Sequence, residues 1–160
     1  MLLATPVLTR LYDPSAFGLL ALLVSVNSML VILATLRYEG AVPIAESDEQ
    51  ASDLMLLAAS ALCAFSAAIA LLLLFSGDRL LTLLSIEALS PYKELIPAGV
   101  FFAGSFQIAS YWAIRKKHFG EVASLRLIQS TAGFFAQAVL SSLGATGLLL
   151  GNLTSSGVGV

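Results

Sequence analysis

Charge is scarce in this chain. Of 160 residues, 8 are Lys or Arg and 10 are Asp or Glu, so 11% are charged, against about 25% in an average soluble domain. There is one cysteine, Cys63, and one histidine, His118. A single cysteine excludes an internal disulfide and a cysteine-rich zinc site. Set among Leu, Ala and Phe, Cys63 reads as a small buried apolar filler. The net charge of -2 leaves no basic excess to meet a nucleic acid. A Gly-rich phosphate loop, metal-ligand spacing and a Ser-His-Asp set are all missing. No enzyme active site, cofactor site or metal site is therefore expected. Met1–Arg10 is too short and too interrupted for a signal peptide, and its one charge follows the apolar residues instead of preceding them.

What is present is apolar. Hydrophobic residues make up 58% of the chain and the mean hydropathy is +0.93. A soluble core of this length could not hide so much oil, so the expectation is an all-α polytopic membrane protein in a lipid bilayer. A spanning helix needs roughly 20 mostly apolar residues. Four spans are expected, at residues 17–44, 54–75, 95–114 and 122–150, with a short interfacial helix over 80–89 and partial helices at the termini. Asp13-Pro14-Ser15 predicts the start of the first span, with Asp13 or Ser15 as cap. That helix is expected to run on through Arg37-Tyr38-Glu39 towards Ile44, with a kink at Pro43. In the second span, Ser60, Ala64 and Ala68 recur four apart, a spacing that lets another helix come close. Gly147 and Gly151 have the same spacing. Tyr111 and Trp112 mark the far end of the third span, as interfacial aromatics do.

Arg115-Lys116-Lys117-His118 is the densest positive cluster, and short cytoplasmic loops are the ones enriched in Lys and Arg. It places the loop near residue 118 in the cytoplasm and, by alternation, the acidic loop near residue 48 as well. His118, beside three cations, reads as a solvated loop residue.

The candidate site residues are the polar groups at odds with lipid. Arg37 and Glu39 point about 200° apart on a helix and cannot serve each other. Either they mark the membrane boundary and snorkel, or Arg37 lines a polar cavity and holds an anion such as a phosphate. The fourth span is the most polar. There Arg126 and Gln129, three apart, share a face that should meet other helices or water. Arg10 reads as a loop or interface residue.

The block from Pro6 through Thr9-Arg10-Leu11-Tyr12-Asp13-Pro14 to Phe17-Gly18, followed by an apolar helix ending in Leu36-Arg37-Tyr38-Glu39, resembles the Wzx-type polysaccharide flippases, MATE-like exporters related to the lipid II flippases. Tyr111 to Phe119 and the polar helix after it are also similar to that family. The resemblance implies a helical transporter of two pseudo-symmetric lobes around a central cavity, in the bacterial inner membrane. It would turn over undecaprenyl-pyrophosphate-linked oligosaccharide for lipopolysaccharide or O-antigen synthesis. It also implies the polysaccharide polymerase machinery as a partner, and arginines at positions 10 and 37 facing the cavity to hold the pyrophosphate. Family members have a complete helix before this block where only a tail stands here, so the chain is expected to be part of the first lobe. The alternative is a stand-alone four-span protein, a small transporter or assembly factor acting as an oligomer.

Overall fold

The computed structural model describes residues 10, 12–117 and 119–158. His118 and the residues before Arg10, the subject of expectations above, lie outside the described residues. Among those described there is no strand. Five α-helices follow one another: α1 Pro14–Thr35, α2 Asp48–Leu83, α3 Leu95–Arg115, α4 Phe119–Val139 and α5 Ala145–Val158. Single 3₁₀ segments, Tyr38–Ile44, Glu87–Tyr92 and Leu140–Leu143, separate α1 from α2, α2 from α3 and α4 from α5.

α1 starts as its sequence dictates. The Asp13 carboxylate accepts from the Ser15 N–H at 2.9 Å and from its hydroxyl at 2.8 Å, and Pro14 sits at a first position that needs no N–H partner. Its end differs from expectation. The α-helix stops at Thr35, because Leu36 and Arg37 both take left-handed backbone conformations, φ 49° and 58°. Non-glycine residues held there cost about 1–3 kcal/mol each. The chain beyond tightens into a 3₁₀ segment that contains Pro43, so residues 36–44 are no extension of the first rod.

α2 is capped by Ser47, whose hydroxyl oxygen accepts from the Gln50 N–H at 3.2 Å. Asp48 and Glu49 in its first turn complement the helix dipole. A separate interfacial helix over 80–89 does not form. Ser76 bends the rod (φ -139°, ψ 15°), and helix resumes to Leu83. It resumes because Leu73, Gly77 and Leu81, at helical spacing, continue one buried face across the bend.

The stretch expected as one span at 122–150 is two helices. α4 ends at Val139, the 3₁₀ turn follows, and Gly144 (φ 60°, ψ -139°) takes a backbone conformation that side chains resist. α5 then folds back along α4. Gly147 lies against the Leu140 carbonyl, Gly151 against Gln137 and Gly133 against Ser155, an antiparallel register in which any added Cβ would collide. The small-residue spacing at Gly147 and Gly151 thus builds a hairpin within the chain. Ser60, Ala64 and Ala68 are exposed instead, and so is Cys63, which is not the buried filler it was expected to be.

α1 and α2 are long and apolar enough to cross a membrane, and only 22% of each one's apolar window is buried. The core helix of a soluble protein hides its apolar residues. Here Leu56, Leu57, Leu71, Leu72 and Leu74 are exposed, a surface with membrane character. α3 and α4, 21 residues each, reach about 31 Å at roughly 1.5 Å per residue, while the 14 residues of α5 reach only about 21 Å.

Polar clips fix the two ends of the bundle. At one end Arg115 Nε donates to Asp48 Oδ1 at 3.0 Å and Lys116 Nζ to Asp48 Oδ2 at 2.7 Å. Arg115 Nη1 also donates to the carbonyls of Val42 and Ala45. At the other, Asp78 Oδ1 accepts from Ser90 and from Lys93, and Tyr12 donates its hydroxyl to the Gln137 carbonyl. The start of α2 and the end of α3 therefore share one end, as the alternation of spans requires.

Candidate substrate cavity

Three helices enclose a cavity of about 380 Å³. α1 supplies Asn27 and Ser28, α3 supplies Gly99 and Gln107, α5 supplies Asn152 and Ser156, and Arg37 closes the end beyond α1. A second cavity, about 420 Å³, lies between α3 and α4 and is lined by Ser110, Tyr111 and Arg126 among others. The two adjoin, for Ala103 and Gln107 line both. Together they form a polar groove along α3.

Glycine makes the first cavity's geometry possible. A Cβ at Gly99 would collide with the Asn27 side-chain amide, and one at Gly104 would stand 2.5 Å from Leu62 Cδ1. Glycine at those two positions lets α3 approach α1 and α2 closely without moving the Asn27 and Leu62 side chains. Asn27 is buried to 8% exposure, and its Oδ1 has no hydrogen-bond partner among the described residues.

The sequence-derived candidates separate into groups. Arg37 and Arg126 are exposed side chains, one on each cavity. Among the described residues neither guanidinium has a hydrogen-bond or ion-pair partner, whereas Arg115, Lys116 and Lys93 are all paired. Glu39 lies behind the wall. It is 1% exposed, its Oε1 accepts from Gln107 Nε2 at 2.7 Å, and its Oε2 is unpartnered. Its partner is thus the amide that lines both cavities. Gln129 is half-buried and is not among the residues lining either cavity, and Arg10 is exposed and likewise apart from both. Sequence reasoning placed none of Asn27, Ser28, Gln107, Asn152 and Ser156 in a cavity. The signal was there in principle: a carboxamide inside an apolar helix must find a partner or a cavity.

The groove can hold an anion by two free guanidiniums and a neutral polar group by amides and hydroxyls. At the clipped end, where Asp48 projects beyond the apolar 54–75 stretch, the Lys116 ammonium first and then the Arg115 guanidinium hold its carboxyl below the usual carboxylate range. Lys116 also lies over the Trp112 ring, 5.1 Å from its centroid.

The model of a family described as "Polysaccharide biosynthesis protein" matches residues 7–160. The chain belongs to the polysaccharide biosynthesis protein family. That family is related to the Wzx-type flippases, so the resemblance carried by the Arg10–Gly18 block and the Leu36–Glu39 motif stands. No curated protein and no solved structure matches the chain. A role in polysaccharide biosynthesis, exerted by an all-helical protein with membrane character, follows from the family and the fold together.

Proposed function

We propose that the chain forms part of one lobe of an alternating-access transporter that flips undecaprenyl-pyrophosphate-linked oligosaccharide across the bacterial inner membrane, with the loops near 48 and 118 in the cytoplasm. The observation that carries this reading is the pair of guanidiniums, Arg37 and Arg126, unpaired among the described residues and lining adjoining cavities of a molecule rich in exposed leucine. A pyrophosphate and its sugars cannot enter hydrocarbon unaided. A groove that offers charge to the phosphates and hydrogen bonds to the sugars lowers that barrier without covalent chemistry. Arg37, in left-handed backbone just past the end of α1, lines the first cavity, which supports this reading. Strain of this kind persists where the surrounding structure holds it for use.

The test is complementation of a flippase-deficient bacterial strain by the gene encoding this chain. Arg37→Ala and Arg126→Ala should each abolish or strongly reduce surface polysaccharide while the protein still accumulates in the membrane. Full export by the double variant would overturn the reading.

A further inference from the structure

We infer that Asn27 is the residue that reads the sugar next to the pyrophosphate, in a neutral subsite formed with Asn152 and Ser156. This deepens the transporter reading above and rests on it.

The first cavity is chemically divided. Its only charged lining residue is Arg37, at one end. The rest of its polar lining is uncharged: Asn27, Ser28, Gln107, Asn152 and Ser156. From Asn27 to the last residue of α1, Thr35, the helix rises about 12 Å at roughly 1.5 Å per residue, and Arg37 lies beyond that. A phosphate held at Arg37 is therefore followed, along the cavity, by a stretch that offers amides and hydroxyls. Uncharged donors and acceptors in a confined space suit a hydroxyl-bearing ring and do not suit a second anion.

Asn27 is the marked residue because its hydrogen bonding is incomplete. It is nine-tenths buried in the cavity wall and its Oδ1 meets no donor. Gly99 lies opposite it, and a Cβ there would collide with the Asn27 Nδ2 and displace the amide. A buried polar group left unmade costs more than a made hydrogen bond returns. Oδ1 itself is shut off from solvent, but no hydrogen bond among the described residues holds the amide; turned about its last torsion it presents Oδ1 to the cavity, where a ligand hydroxyl or amide N–H removes that cost and an apolar ligand cannot. Asn152 differs in kind. It sits on α5, half-buried, with its carbonyl already taken by the Ser155 and Ser156 hydroxyls, so only its side chain is free to join the subsite.

The experiment uses the chain in lipid nanodiscs and three probes: a short polyprenol, the same polyprenyl pyrophosphate, and that pyrophosphate carrying one N-acetylhexosamine. Binding of the pyrophosphate over the polyprenol tests the transporter reading, and its absence would sink that reading. The subsite is tested by the increment from the sugar, expected to be about tenfold in affinity, the worth of one or two hydrogen bonds. Asn27→Leu should erase this increment and leave the bare pyrophosphate's Kd within about twofold. Asn27→Asp retains the acceptor and should keep part of the increment. Should Asn27→Leu fail to fold, Asn152→Ala, at a half-buried position, should halve the increment or more. No sugar increment in the unmodified chain, or an increment that both Asn27→Leu and Asn152→Ala leave intact, would overturn the assignment while leaving the transporter reading standing.

Discussion

α2 and the α4–α5 hairpin solve opposite problems. α2 is 36 residues long, apolar enough to cross a membrane, and its outward leucines are exposed. Its charged ends are exposed, and Ser66 is its one buried polar side chain. The hairpin is held by backbone approach at Gly133, Gly147 and Gly151, and α4 carries Arg126, Gln129, Ser130 and Thr131. Lipid tolerates any rod that is apolar, so α2 has wide freedom in which apolar residue sits where. The hairpin has little, because lipid tails are as apolar as leucine and helices in a membrane associate by packing and not by hiding from solvent. Composition therefore makes one region a span, and steric fit makes the other a fold.

The largest expected effect breaks the first half of that contrast. Ala64 is exposed and sits near the middle of the apolar 54–75 stretch. Ala64→Arg should cost about 2.5–3.5 kcal/mol in membrane insertion, the price of an arginine at a helix centre. At a water-facing site the same change would stay within about 0.5 kcal/mol. A translocon insertion assay on α2 measures the difference directly, and normal insertion of the variant would contradict a lipid-facing α2.

Next comes the hairpin. A Cβ at Gly147 would run into the Leu140 carbonyl, a backbone atom that cannot turn away. Gly147→Val should destabilise the protein by about 1–3 kcal/mol through overpacking, read as a lower thermal midpoint by circular dichroism in detergent. Gly18 meets nothing within 4 Å. Gly18→Ala should be neutral or stabilise α1 by up to about 1 kcal/mol. Equal responses at the two glycines would mean that steric fit is not what holds α5 on α4.

Third is the groove. Arg37→Lys keeps the charge and loses the planar fork. It should weaken pyrophosphate binding about tenfold, close to the lower end of the roughly 1.5–3 kcal/mol typical of a hydrogen bond to a charged group. Titration calorimetry in nanodiscs would show it, and an unchanged Kd would reduce Arg37 to a boundary residue that snorkels.

Much of this contrast can be read in the residues and part of it cannot. The cap at Asp13-Pro14-Ser15, the existence of apolar rods, and the shared end of the loops near 48 and 117 all follow from local chemistry or alternation. The break after Thr35 does not. Neither Leu36 nor Arg37 is a residue that seeks left-handed backbone, so only tertiary packing places them there. The split of the expected 122–150 span turned on Gly144, one glycine among twelve. Arg37 and Arg126 were visible because a charge in lipid needs a reason. Asn27 and Gln107 were not, because a lone amide carries no charge, and only the fold brings α1, α3 and α5 around one cavity.

The smallest effect concerns the clip that ties the start of α2 to the end of α3. Asp48 is exposed, and exposed ion pairs contribute little and weaken with salt. Its carboxyl is nevertheless held below the usual range by Lys116 and Arg115. A depressed carboxylate contributes stability that is present above its unfolded pKa and is lost as pH falls through its folded value. The clip should therefore hold at neutral and mildly acidic pH and open only below the ordinary aspartate range. Trp112, the chain's single tryptophan, lies under Lys116 and reports the change. Its emission should shift as the pH drops through that acidic window, and Asp48→Asn should show the shifted spectrum already at neutral pH. Asp78→Asn, which loosens the clip at the opposite end, should leave Trp112 unmoved. A tryptophan signal that followed Asp78 as closely as Asp48 would mean that the two ends are not independent and that the bundle answers to charge as one body.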